Sequence, residues 1–271
     1  MDSTFVFSPI GIIHSCFKEK FGIPRQPGLV TRATATLEML PPFDKDEAFK
    51  DIDAFSHLWL IFVFHGIPEG KWQPTVRPPR LGGNRRAGVF ATRSGFRPNP
   101  IGMSAVVLEK ISRHGGRLQL HLSGIDLLDG TPVLDIKPYL PYADSIPRAS
   151  GGFAEAPPLA RLAVEFTGQS RQACRQLEKT YPGLADLIVQ VLSADPRPAY
   201  MQRGSKRTEF GMRLHDLDIR WSVRQDAIVV HGVEKSRSSS YKKPIDPDKE
   251  NNHVRKRLVN EPGKVEDETR D

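Results

Sequence analysis

From Gly70 to Leu108 the chain carries no acidic residue, yet it holds Lys71, Arg77, Arg80, Arg85, Arg86, Arg93 and Arg97. A guanidinium offers a planar fork of donors that matches phosphate and carboxylate in bidentate geometry, so an arginine-rich run suits a phosphodiester backbone better than a lysine-rich one. A solvated loop of ordinary surface charge is the competing explanation. The same stretch contains Ala91 to Ser104, where Pro98 and Pro100 fix the backbone around Asn99 and Gly102 permits close approach of another group. A rigid polar loop of this kind either joins two strands or lines a site.

A second polar loop runs from Gly124 to Pro132, with Asp126 and Asp129 flanking Leu127 and Leu128. Asp129-Gly130 is an ordinary turn signal. In a site, one of these carboxylates accepts from hydroxyl or ammonium groups while the leucines pack an aromatic face. Asp135 and Lys137, two apart on a strand, share a face, where an ion pair of small energetic value is the plain reading. His57 and His65 bound an apolar run, and a hydrogen-bonded core histidine is the usual fate of such residues. His65, where that run ends, is the better functional candidate. Trp59, Phe62 and Phe64 read as barrel core.

Several chemistries are excluded by what is missing. No Gly-x-Gly occurs in the chain, nor a Walker loop, a His-Glu-x-x-His or a Cys-x-x-Cys. Rossmann, P-loop and zincin readings therefore fall away. The eight histidines show no ligand spacing, so no metal is expected. The net charge of +7 and pI near 9.5 favour a polyanionic partner. Cys16 and Cys174 stand far apart and read as reduced thiols. With no secretory leader and no apolar run of membrane-spanning length, the expected location is the cytoplasm.

The elements that must position these loops are mainly strands. Short apolar runs with turn punctuation predict strands at Phe5 to Ile13, His57 to Phe64, Gly88 to Arg93, Ser104 to Ile111, Arg117 to Gly124 and Pro132 to Tyr139. The run beginning at His57 is apolar on both faces and is expected to be central. Asp44 and Glu47 make a capping-box-like start to one helix, with Ala48, Phe49, Ile52 and Phe55 as its stripe. Many strands with a single helix predict a barrel over residues 1–144. An Ala, Ser, Gly and Pro-rich linker is expected at 145–158, followed at 159–233 by a small α+β domain. That domain comprises a strand at Leu159 to Phe166, helices at Ser170 to Tyr181 and Leu184 to Ala194, and strands at Glu209 to Leu214, Asp218 to Val223 and Ala227 to Val233. From Glu234 onward ten basic and nine acidic residues surround few apolar ones, and a disordered tail over 234–271 is expected.

Long segments of the chain also resemble the TsaA-like (YaeB-like) family, whose bacterial enzymes methylate N6-threonylcarbamoyladenosine beside the tRNA anticodon. The resemblance lies in Lys18 to Leu29, Phe55 to Trp59, Phe62 to His65, Arg77 to Asn84, Gly88 to Ser104, Asp126 to Val133 and Asp135 to Tyr139. In the second domain it continues in Asp195 to Tyr200, Leu214 to Asp216 and Arg220-Trp221. It covers about residues 5 to 232, and only the tail lacks a counterpart.

The resemblance implies a β-barrel catalytic domain with S-adenosylmethionine as cofactor, tRNA as partner, and a homodimer whose interface helps complete the cofactor site. Matching positions give Pro24, Arg25, Gln26, Phe64, His65, Arg93, Asp126, Leu127, Leu128 and Asp129 as cofactor contacts. Arg25 or Arg93 suits the methionyl carboxylate, and Asp126 or Asp129 the amino group or ribose. Expected substrate contacts are Arg77, Arg80, Arg85, Arg86, Arg97, Asn99, Lys137, Arg197 and Tyr200, with the first four as a clamp for the threonyl carboxylate. Asp135 and His65 are the candidates for taking a proton from N6. The rival from another class is a non-catalytic RNA-binding module, in which the basic loop and aromatics hold single-stranded RNA.

Overall fold

Alternation of apolar and polar residues bends the first half of the chain into a closed barrel. The computed structural model describes residues 5–68, 70–156, 162–197, 208–224 and 227–236. Strands β1 (Gly11–Ser15), β2 (Thr34–Met39) and β3 (His57–Val63) come first, followed by a two-residue pair, β4 (Thr75–Val76) and β5 (Ala87–Gly88). Strands β6 (Ile101–His114), β7 (Arg117–Ser123) and β8 (Pro132–Pro138) complete the barrel, in the order β1-β2-β7-β6-β3-β8, every neighbour antiparallel. Period-two alternation turns Ala35, Leu37 and Met39 of β2, Leu58, Leu60 and Phe62 of β3, and Leu118, Leu120 and Leu122 of β7 inward, all buried.

After the short helix α1 (Pro141–Asp144) and a 3-10 turn at Gly152–Ala154, the chain builds a second sheet. Its strands are β9 (Ala163–Phe166), β10 (Glu209–Leu214), β11 (Leu217–Arg224) and β12 (Ala227–Lys235), in the order β10-β11-β12-β9, with β9 parallel to β12. Helices α2 (Gly168–Leu177) and α3 (Leu184–Ser193) connect β9 to the rest. Thr167 caps α2 by accepting from the backbone N–H of Ser170, and α3 buries Leu184, Leu187, Ile188, Val191 and Leu192. Barrel and second sheet belong to one compact unit, Pro9–Tyr241, and share one apolar core. They are stitched by a bridge between Phe17 and Leu214, by the backbone N–H of His215 donating to Cys16 O at 2.7 Å, and by that of Arg213 donating to Glu19 Oε1 at 2.9 Å. Both cysteines are buried and unpaired by disulfide, and burial pushes the Cys16 thiol up to about 12. Among the described residues no helix is long and apolar enough to cross a membrane.

The structure departs from the sequence-based expectations at several points. The segment after Asp44 forms two 3-10 turns, Asp46–Phe49 and Ile52–Ala54, in place of one helix. Asp51 between them is left-handed, at φ 65°, which breaks helical continuity. Gly88 to Arg93 is only the end of β5 followed by a 3-10 turn, Val89–Ala91. The first strand begins at Gly11, later than Phe5. Strand β2 was not foreseen. Trp59 is not core: it stands on the outer face of β3, donating to Asp144 Oδ2 at 3.0 Å and tilted against Tyr139. His57 is exposed and meets Ser56 Oγ at 2.9 Å. Strand β12 continues through Lys235, with Glu234 paired to Arg220 at 3.1 Å, so the three residues Glu234 to Ser236 are not tail. Beyond them the expected tail lies outside the described residues.

Candidate functional site

Four loops meet at one end of the barrel because backbone bonds tie them together. The loop after β1, which carries Lys18 to Leu29, is held to the loop after β7 by Gly28 N–H donating to Gly124 O at 2.8 Å and Asp129 N–H donating to Phe17 O at 2.9 Å. The turn after β3 is held to the loop before β6 by Phe64 N–H donating to Pro100 O at 2.8 Å. Between them lies a cavity of about 570 Å³. Its wall includes Pro24, Arg25, Gln26, Phe64, His65, Arg93, Asp126, Leu127 and Leu128, nine of the ten residues expected to touch a cofactor. Lys20, Ile23, Ile67, Arg97, Met103 and Ser104 also line it. A volume of this order lies in the range of small-molecule sites, and the mixture of apolar wall with a few convergent polar groups is typical of them.

Glycine at position 102 makes the wall possible. A side chain there would collide with the rings of Phe62 and Phe64, which meet edge-to-face with centroids 5.1 Å apart. The close approach expected at Gly102 is thus present.

Three polar groups at the wall have unusual electrostatics. Burial pushes the Asp126 carboxyl up to about 6, against opposing help from the hydroxyl of the buried Ser104, which donates to Asp126 Oδ1 at 2.6 Å, and from the charge of Arg93. Arg93 in turn donates to Gln26 Oε1 at 2.7 Å, and Gln26 donates to Arg25 O. An acceptor and a donor set therefore stand together, the arrangement an α-amino acid zwitterion requires. His65 is lowered by burial and by the charge of Lys20, which keeps its imidazole neutral near pH 7. Arg25 is exposed at the mouth; desolvation there lowers its guanidinium, opposed by the charge of Asp195 and reinforced by that of Arg80.

Other expected site residues are elsewhere. Asp129 does not line the cavity: its carboxylate pairs with Lys18 at 2.8 Å and accepts from Ser15 N–H at 2.9 Å, holding the loop to β1. Asp135 and Lys137 lie on the outer face of β8, pairing with each other at 2.8 Å and registered against Ile61 and Trp59. Asp135 is therefore not positioned as a base at this wall. Of the four arginines expected to clamp a carboxylate, none lines the cavity. Arg80 donates to Ala156 O, Arg86 donates to Thr75 Oγ1 at 2.7 Å, and Arg77 and Arg85 are exposed. Arg97 reaches the cavity, but one of its nitrogens is engaged by Thr92 O at 2.7 Å and Val89 O at 3.2 Å. Asn99 is exposed outside the wall, and Arg197 forms a bidentate pair with Asp195 at 2.7 and 2.8 Å. Tyr200 lies outside the described residues. Sequence reasoning missed Ser104 and Lys20. Ser104 sits two residues from Gly102 on an inward-facing position of β6, a periodicity signal that could have found it.

A closed barrel whose end loops enclose a pocket with paired donor and acceptor groups, with no Rossmann sheet among the described residues, defines a barrel class with a small-molecule site at its end. Known proteins place the chain within it. The tRNA-methyltransferase O N-terminal domain matches residues 12–145, and the TrmO C-terminal domain matches residues 159–236. A tRNA (adenine(37)-N6)-methyltransferase of Escherichia coli K12 is 50% identical over 232 residues, covering 86% of this chain and 99% of that protein. A Pseudomonas aeruginosa protein, named provisionally as an S-adenosylmethionine-dependent methyltransferase, is 55% identical over 85% of this chain and 98% of its own length. A crystal structure of TrmO from P. aeruginosa superposes with a TM-score of 0.71 at 47% identity, covering 87% of this chain and 99% of that one. The chain belongs to the tRNA-methyltransferase O family.

Proposed function

We propose that this protein methylates N6 of adenosine 37 in tRNA, using S-adenosylmethionine, and that the adenosine it accepts already carries an N6-threonylcarbamoyl group. The observation that carries the reading is the cavity itself: Asp126 with Ser104, and Arg93 with Gln26, offer paired acceptor and donor groups beside an apolar wall. That set fits the amino-acid end of the cofactor, and Leu127, Leu128 and Phe64 fit its adenine face. Bound there, S-adenosylmethionine supplies an electrophilic methyl on a sulfonium.

The chain's own residues then do three things. Asp126, ionised at pH 7, takes the ammonium of the cofactor, and Arg93 or Arg25 takes its carboxylate. The apolar wall fixes the angle of approach and excludes water, so that alignment supplies much of the rate. N6 is a weak nucleophile because its lone pair is shared with the purine and the carbamoyl group, and its proton must leave as the new N–C bond forms. His65, neutral and at the cavity wall, accepts that proton.

The exposed arginines Arg77 and Arg85 stand free to meet the tRNA backbone, with Arg86 beside them. Ile101 and Met103, 40% and 48% exposed at the cavity rim, support a homodimer in which a second copy covers this edge. A tRNA-modifying role fits the cytoplasm, and residues 1–144 and 159–233 fit a barrel domain and an accessory domain. Nucleoside mass spectrometry of tRNA from cells with and without the protein tests the function: the N6-methylated form of threonylcarbamoyladenosine should disappear with the gene. Its persistence, or calorimetry showing no S-adenosylmethionine binding, would return the chain to the RNA-binding alternative.

A further inference from the structure

Lys20 lines the cavity, yet the cofactor's amino and carboxylate groups are already matched by other residues. Its ammonium donates to Gly66 O, and its stem crosses Gly66 so closely that a β-carbon there would stand 2.7 Å from Lys20 Cε and 3.2 Å from Nζ. Glycine at 66 and the lysine's placement are thus one feature: any side chain would push the ammonium off its carbonyl. One carbonyl occupies one of three N–H donors. Among the described residues no carboxylate pairs with Lys20.

The charges along the wall fall into two groups. Asp126 responds to Arg93 and Ser104, whereas His65 responds to Lys20 and, in the opposite sense and to a smaller extent, to Asp129. The first group contains its own anion and suits a zwitterion; in the second the carboxylate of Asp129 lies off the wall and pairs with Lys18 at 2.8 Å, so Lys20 faces the cavity with the Gly66 carbonyl as its partner. An ammonium at the wall of a binding cavity, held by a carbonyl rather than by a carboxylate and beside the residue that receives the proton from N6, suits an anion on the second substrate. The four arginines foreseen for that task are outside the wall.

Resting on the functional reading above, we propose that Lys20, braced on Gly66, forms an oxyanion subsite for the RNA substrate and takes the carboxylate of the threonylcarbamoyl group on the reacting base. That carboxylate hangs only a few bonds from N6, so a group beside His65 reaches it. Backbone phosphates, on the ribose side of the base, are the other source of an oxyanion.

The test measures kcat/KM for wild type, Lys20→Ala, Lys20→Arg and Gly66→Ala on two full-length tRNAs, one bearing the free threonyl acid at adenosine 37 and one its methyl ester, with S-adenosylmethionine affinity measured in parallel. Lys20→Ala should lower kcat/KM on the acid by at least about tenfold, the scale of one charge-assisted contact. It should lower the acid-to-ester ratio of kcat/KM by at least about tenfold and leave cofactor affinity within about twofold, the limit of an unaffected site on the same scale. Lys20→Arg should recover part of the loss, and Gly66→Ala should reproduce part of it. Any general effect of the lysine on His65 would lower both substrates alike, so the acid-to-ester ratio isolates the contact. Equal loss on acid and ester would overturn the proposal in favour of a phosphate contact or a general effect on His65, loss of cofactor affinity would hand Lys20 to the cofactor, and no loss would remove the subsite. Failure of the wild-type enzyme to methylate the acid would overturn the functional reading and the subsite with it.

Discussion

Replacing Asp126 by asparagine should weaken S-adenosylmethionine binding and stabilise the empty protein at the same time. Burial raises the Asp126 carboxyl from its ordinary 3.8 to about 6. Between those two values the folded state holds a proton the unfolded state has lost, so stability falls as pH rises from about 4 to about 6 and the penalty persists above. The shift corresponds to roughly 3 kcal/mol as an upper figure, and Asp126→Asn should recover about 1–3 kcal/mol of unfolding free energy at pH 7. For binding the sign is reversed, since only the ionised carboxylate attracts the ammonium. In wild type the ionised fraction falls from about nine-tenths at pH 7 to about one-tenth at pH 5, so affinity should drop roughly tenfold across that window. Asp126→Asn should bind at least about tenfold more weakly at pH 7 and lose most of this dependence. Ser104→Ala, by removing a hydrogen bond that favours the ionised form, should move the midpoint to higher pH. Calorimetric titration at pH 5, 6 and 7, with urea unfolding of the empty protein, checks all of this. A flat affinity in wild type would refute the reasoning, and an Asp126→Asn variant that is both destabilised and equally pH-dependent would refute it and point to His65 as the titrating group.

Asp129→Ala should behave oppositely to Asp126→Asn: it leaves Lys18 without its 2.8 Å partner and Ser15 N–H without its acceptor, so stability should fall by about 2–3 kcal/mol in urea unfolding while cofactor affinity changes by less than about threefold. Arg85→Ala, at an exposed side chain away from the cavity, should leave S-adenosylmethionine affinity alone and reduce the slope of log tRNA affinity against log salt by about one, as measured by filter binding across a salt series.

How much of this was legible in the sequence varied with the kind of signal. Strands whose inward positions are large and aliphatic, such as Leu118, Leu120 and Leu122 of β7, were readable because the alternation is strong. Strand β2 was missed because its first inward position, Ala35, and the buried Ala33 just before the strand are small residues set among threonines, which carry little hydrophobic contrast until Leu37 and Met39. The capping-box pattern at Asp44 and Glu47 does not form: the turn starts after Lys45 with no side-chain cap, and non-helical Lys50 followed by left-handed Asp51 ends it after one 3-10 turn. Propensity cannot report such a backbone excursion.

The site divides along a similar line. Residue type says what a side chain can bind; only the closure of the barrel says where it points. Asp126 and Asp129 were chemically equivalent in sequence, three apart on one loop, yet one faces the cavity against Ser104 while the other turns back to Lys18. The arginine run was equally ambiguous: its density suggested a clamp, but the β4–β5 pair and the contacts to Thr75 and Ala156 hold Arg86 and Arg80 outside the cavity. Of that run only Arg93 and Arg97 reach inside, where they are joined by Lys20, a residue with no distinguishing sequence signal of its own, admitted because Gly66 leaves it room. A glycine's missing side chain thus shapes this wall alongside its charges: a β-carbon at Gly66 would meet Lys20, and one at Gly102 would meet the rings of Phe62 and Phe64.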